Sequence, residues 1–103
     1  MIVVNADDFG FTAGVTDGIM KAYKKGIVTH ASIMANGLDF DRSIECSKNE
    51  VAMKVGVHLV ATWGEPVLKN NKKSTLINSR DGRFFTFKQL ILRLIFGKIK
   101  RND

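Results

Sequence analysis

Two adjacent carboxylates, Asp7 and Asp8, come almost directly after the β-branched run Ile2-Val3-Val4. Side by side they repel, and next to a buried strand at least one of them must be desolvated. A cation resolves that conflict. The alternative is that one Asp caps a turn while the other stays solvated. His58 is the second reactive group, inside the apolar stretch Val55-Gly56-Val57-His58-Leu59-Val60. Imidazole and carboxylate together form a donor set that suits Zn²⁺ and similar divalent ions. Against this stands the ordinary role of a lone strand histidine, a hydrogen-bonded core residue. Two ligands do not make a tight site; a third is needed, normally with water in an open position.

The elements that must position these groups follow from apolar spacing. Residues 1–5 read as a buried strand whose C-terminal end delivers the two Asp residues. After the turn Phe9-Gly10-Phe11, Thr12 is an N-cap. Val15, Ile19, Ala22 and Tyr23 then mark one face of a helix over 13–25. Lys24 and Lys25 suit its C-terminus, and Gly26 its C′ position. Residues 27–35 form a second strand, ended by Asn36-Gly37. A short helix capped by Asp39 or Asp41 turns Phe40 and Ile44 inward and runs to about Ser47. Residues 53–60 form the third strand. This β-α-β-α-β order predicts a parallel sheet with right-handed crossovers, in which the first and third strand ends share one rim. Asp8 and His58 can therefore meet, on the rim where parallel α/β proteins bind ligands. Asn36 ends the second strand at that rim and is placed to line a cleft. His30 lies at the opposite end and reads as structural or surface. Trp63, after the third strand, either stacks on a sugar ring or packs within its loop. Residues 67–83 are a polar loop with an Asp81-Gly82 turn. A last helix starts at Thr86, where Thr86 and Gln89 match a capping box. Phe87, Leu90, Ile91, Leu94 and Ile95 give it an apolar face, widened by Leu92, Phe96 and Ile99.

With 103 residues, 45% of them hydrophobic, the chain is neither multi-domain nor disordered. No apolar run approaches the ~18 residues of a membrane span. The N-terminus turns acidic without a basic region, so no signal peptide is expected. The single cysteine, Cys46, fits a reducing, cytoplasmic setting and a small buried apolar role. The net charge of +6 is uneven: residues 1–68 hold six basic and eight acidic residues, residues 69–103 ten basic and two acidic. The basic third marks either an anionic partner or a segment whose acidic complement lies elsewhere.

Several of these stretches resemble one family. Asn5-Ala6-Asp7-Asp8-Phe9-Gly10 looks like the opening signature of the YdjC-like carbohydrate deacetylases, which include chitooligosaccharide deacetylases. Gly26-Ile27-Val28-Thr29 with Ser32 and Met34-Ala35-Asn36 resembles the family's second strand. Gly56-Val57-His58-Leu59 resembles its histidine-bearing third strand. Thr62-x-Gly64-x-Pro66 and Asp81-Gly82-Arg83-Phe84 resemble its next loop. The resemblance implies a partial TIM-like (β/α) barrel of the polysaccharide-deacetylase type, of which this chain holds the first three βα units with parallel strands. It implies a hydrolase that uses Mg²⁺ or Zn²⁺ to remove acetyl groups from N-acetylated oligosaccharides. Asp7 would be the general base and Asp8 and His58 metal ligands. Asn36 and Trp63 are the candidates for substrate contact.

The chain departs from that family in one respect. Members are more than twice as long and take their third metal ligand from a later Asp-Ser-His-x-His-type segment, absent here. The expectation is an N-terminal fragment of a single domain, weakly active or inactive alone, completed by a C-terminal part. Two other readings stand beside it. One is a small basic module binding nucleic acid or an anionic surface through residues 69–73 and 86–101; the pattern of aromatics among basic residues used by single-strand binders is missing. The other is a non-catalytic remnant that folds as a homo-oligomer through its exposed third-strand edge and wide apolar helix.

Overall fold

The computed structural model describes residues 2–68 and 74–100, and it divides into one unit ending at Leu59 and another beginning at Val60. The first unit has the expected alternation: β1 (Asn5–Phe9), α1 (Ala13–Lys25), β2 (His30–Met34), α2 (Phe40–Asn49) and β3 (Lys54–His58). The strands form one parallel sheet in the order β1-β2-β3. This is the arrangement of the opening βα units of an α/β barrel.

Helix α1 forms where the apolar stripe predicts. Thr12 caps it by accepting a hydrogen bond from the Val15 N–H at 3.4 Å. Gly26, read as C′, is instead the C-cap residue, with φ −122° and its N–H donated to the Ala22 carbonyl. Phe9, Ile19, Ala31, Ile33 and Met53 form the core, with Val15, Tyr23, Phe40, Ile44 and Cys46 packed around it. Cys46, expected to be buried, is a free thiol that is half-buried against this core.

The strand limits differ from the sequence reading. The first strand begins at Asn5 rather than ending there, so Asp7 and Asp8 lie inside it, and Ile2 and Val3 are exposed. Hydrophobicity suggested a strand over 1–5, but ladder pairing starts only where Asn5 meets His30. Met1 lies outside the described residues. Ile27, before β2, and Leu59, after β3, are likewise exposed, for the same reason: no ladder partner reaches them. Val55 and Val57 pair with Ala31 and Ile33 and so share the helix-facing side of the sheet, yet Val57 is 69% exposed. The two helices cover β1 and β2 and stop short of β3.

The loops that follow β1 and β2 clasp each other. Leu38 N–H donates to the Phe11 carbonyl at 3.0 Å, and Asp39 N–H to the Gly10 carbonyl at 2.9 Å. The approach leaves no room for a side chain: a Cβ on Gly37 would lie 2.1 Å from the Gly10 oxygen. Arg42 reinforces the clasp, binding Asp17 at 2.7 Å, Asp39 at 2.9 Å and the Ala13 carbonyl at 2.9 Å. Asp39 is the N-cap residue of α2, but its carboxylate binds Arg42 instead of the helix N-terminus. That hydrogen bond holds the Asp39 carboxyl below the usual carboxylate range.

In the second unit, the Asp81-Gly82 turn forms with Gly82 at φ +72° and closes a short antiparallel bridge, Ile77 to Phe84. Helix α3 spans Phe87–Ile95, and the Thr86 N–H donates to Gln89 Oε1 at 3.0 Å, as the capping-box pattern predicts. Ile99 does not extend its apolar face. The chain leaves the helix at Gly97, φ +62°, where Gly97 N–H donates to the Leu94 carbonyl and Lys98 N–H to the Arg93 carbonyl. This Schellman ending needs the left-handed conformation that glycine adopts freely. No α3 residue is buried, so its apolar face is open rather than core-facing. Arg93 lies 4.2 Å from the centre of the Phe85 ring. Of the basic residues assigned to an anionic surface, 69–73 and Arg101 lie outside the described residues. Among the described residues no helix is long and apolar enough to cross a membrane.

Two outcomes test this account. Gly37→Ala forces the two loops apart and is expected to lower stability by about 1–3 kcal/mol, measured by denaturant unfolding. The depressed Asp39 carboxyl contributes stability above its ordinary value of 3.8, and loses that contribution as the solution is acidified past it. Asp39→Asn is therefore expected to flatten the fall in unfolding free energy between about pH 6 and about pH 2. An unchanged slope would show that Arg42 does not select the charged carboxylate.

Candidate functional site

The candidate site lies at the C-terminal rim of the sheet and depends on an irregularity in β1. Ala6 pairs with Ala31 and Phe9 with Ile33, so three steps along β1 match two along β2. The extra residue is a β-bulge, and Asp8 sits in it at φ +65°. Side chains alternate between sheet faces, so a regular strand would send Asp7 and Asp8 to opposite sides. The bulge restores the alternation one residue later. Phe9 enters the core fully buried, and Asp8 is left on the polar face with Asp7. Asp tolerates the left-handed conformation better than most residues because its short polar side chain bonds locally.

On that face the two carboxylates take different partners. Asp7 Oδ1 accepts from Ser32 Oγ at 2.5 Å and from Asn5 Nδ2 at 2.8 Å; Asn5 Nδ2 also lies 3.3 Å from Ser32 Oγ. Asp8 faces His58, the last residue of β3, whose imidazole reaches across the central strand. Asp8 Oδ1 stands 3.6 Å from His58 Nδ1, and the Asp8 N–H points at the same nitrogen at 3.5 Å. The N–H contact requires a neutral imidazole with its proton on Nε2. In that form the Nδ1 lone pair and the Asp8 carboxylate are two electron donors facing each other, which only a proton or a metal cation between them makes attractive. Two donors bound to one divalent ion, each at about 2.0–2.2 Å, stand about 3–3.6 Å apart. The pair therefore fits as two ligands of one ion. Among the described residues no group of three or more His, Cys, Asp or Glu side chains gathers to hold a metal.

The structure thus brings Asp8 and His58 together, with Asp7 next to Asp8 in β1 and bonded to Asn5 and Ser32. Asn36 follows β2 in the turn closed by the Gly37 N–H on the Met34 carbonyl, half-buried at the same rim. Trp63 belongs to the second unit and is half-buried there. His30 lies at the far end of the sheet, paired with Asn5 and Lys54, its Nδ1 2.8 Å from Thr29 Oγ1, which agrees with a structural role. Sequence reasoning missed the partners of Asp7. Asn5 stands two residues before it on one strand face, a visible signal. Ser32 carried none, because only the register places it opposite Asp7.

Comparisons with known proteins bear on the family and the fold. The family model for YdjC-like protein matches residues 1–103. A carbohydrate deacetylase of Oceanobacillus iheyensis is 47% identical over 83 residues, covering 81% of this chain and 35% of the relative. One of Listeria welshimeri is 40% identical over 83 residues, covering 81% and 33%. One of Brevibacillus brevis is 35% identical over 100 residues, covering 97% and 39%. A solved structure from Enterococcus faecalis V583, described as a candidate cellobiose-phosphate cleavage protein, superposes with a TM-score of 0.78 at 28% identity. That match covers 95% of this chain and 36% of that one. The chain spans about a third of the length of the curated relatives it matches.

Calorimetric titration with Zn²⁺ tests the metal pair. One weak site is expected, and Asp8→Asn or His58→Ala should each lower its affinity by more than the ~10-fold that losing an outer-shell partner costs. Equal affinity in both variants would remove these side chains from metal binding.

Proposed function

This chain belongs to the YdjC-like family, and on that premise we propose that it is the N-terminal part of a metal-dependent hydrolase that removes acetyl groups from N-acetylated carbohydrates, chitooligosaccharides in particular. The observation that carries the reading is the bulge that turns Asp8 toward His58 while keeping Asp7 on the same face. The relatives named carbohydrate deacetylase supply the substrate class. In this proposal residues 1–103 are the opening portion of one deacetylase domain, and the remaining length of such relatives supplies a third metal ligand.

Asp8 and His58 would hold the ion, Mg²⁺ or Zn²⁺. When bound, a divalent ion supplies a positive charge that polarises the amide carbonyl and acidifies water. Asp7 is the general base: its Oδ1 is committed to Ser32 and Asn5, so Oδ2 takes the proton from the attacking water. Asn36, at the rim after β2, is the candidate for contact with the sugar's polar groups, and Trp63, in the second unit, for stacking on a ring. The open apolar faces of β3 and α3 suit a complementing C-terminal part or a second copy of the chain.

Acetate release from N-acetylated chitobiose decides the matter. The chain should release little with Zn²⁺, Mg²⁺ or Co²⁺ when alone, and more when combined with the C-terminal two thirds of the Oceanobacillus relative. In that combination Asp7→Asn is expected to lower kcat by about 10²–10⁴-fold. Full activity of the chain alone would overturn the shared-site reading, and unchanged kcat in Asp7→Asn the base assignment.

A further inference from the structure

We propose that Ser32 and Asn5 are positioning residues that fix the Asp7 carboxylate in one orientation by holding its Oδ1. How the carboxylate is held rests on geometry; that it then acts as a base rests on the hydrolase reading above. Ser32 Oγ donates to Asp7 Oδ1 at 2.5 Å, within the short range of charge-assisted O–H···O⁻ bonds. Asn5 Nδ2 donates to the same oxygen at 2.8 Å and lies 3.3 Å from Ser32 Oγ, which closes a triangle of three polar groups. Both bonds fall on Oδ1 and neither on Oδ2.

The donors are set by backbone rather than by flexible loops. Asn5 and Asp7 stand two residues apart on one face of β1, and Ser32 comes from the paired strand β2. A carboxylate pinned through one oxygen by two strand-borne donors keeps few rotamers. The arrangement also sorts the adjacent acids: Asp7 to Ser32 and Asn5, Asp8 to His58. These bonds lie in an exposed environment, where a hydrogen bond adds little to folding. Their effect is on orientation, and losing one should leave the fold in place.

The test reads Asp7 directly, by the three-bond N–Cγ and C′–Cγ couplings of its side chain in the 103-residue chain, with circular dichroism as the check on folding. The native chain is expected to show one rotamer. Ser32→Ala should average the couplings, and Ser32→Thr, which keeps the hydroxyl, should restore the single rotamer. If Ser32→Ala does not fold, Asn5→Ala decides: partial averaging supports the proposal and an unchanged rotamer overturns it. A single unchanged rotamer in a folded Ser32→Ala variant, or averaging in the native chain or in Ser32→Thr, also overturns it. The couplings do not depend on turnover. An ordered Asp7 that averages in Ser32→Ala, in a protein that releases no acetate when complemented, would leave the positioning intact and remove the hydrolase reading.

Discussion

One residue out of register sets which side chains share the polar face of this sheet. A β-strand gives alternate residues to opposite faces, so two consecutive acids on one face need an extra residue in the strand. Asp8 provides it at φ +65°. A non-glycine residue in that region costs about 1–3 kcal/mol and persists only where its surroundings over-determine it. Here they do. Phe9, next in the chain, is completely buried in the core. Straightening the bulge would bring Phe9 to the polar face and put Asp8 among Ile19, Ile33 and Met53. Burial of one aromatic ring thus holds an ionisable group at a rim it could not otherwise reach.

The rest of the first unit keeps that rim in place. β2 is the central strand and pairs on both sides, so it fixes how far β1 stands from β3. Just beyond the rim, the loops after β1 and β2 meet backbone to backbone at Gly10 and Gly37, and Arg42 ties α2 to the start of α1. None of these contacts touches the carboxylates. They prevent the two strand ends from shearing, which would change the reach from Asp8 to His58. Core packing, loop clasp and ion pairs act on the site only through the backbone.

Much of this was legible in the sequence, for local reasons. The stripe Val15, Ile19, Ala22, Tyr23 with Thr12 before it specifies α1, and Thr86 with Gln89 specifies the start of α3. The alternation of strands and helices gave the parallel sheet, and with it the shared rim of Asp8 and His58. What escaped is what tertiary pairing decides. Ile2 and Val3 have strand-like side chains, but the paired register with β2 begins only at Asn5. No propensity marks Asp8 as a bulge, because its conformation answers to Phe9 and the core. Ser32 looks like any polar strand residue until the register sets it against Asp7. Gly97 ended the last helix before Ile99 through a left-handed turn that apolar periodicity does not report.

The central strand has one further consequence. The distance between the carboxylate and the imidazole is counted in whole strands, not in loop residues. Lengthening either helix, or the connections entering at the N-terminal edge of the sheet, changes neither of the two spacings of about 4.8 Å that separate β1 from β3. Such segments are free to vary in length among proteins built this way. A slip of one residue along β2 or β3 has no such tolerance, since it exchanges the two faces and sends the imidazole to the helix side.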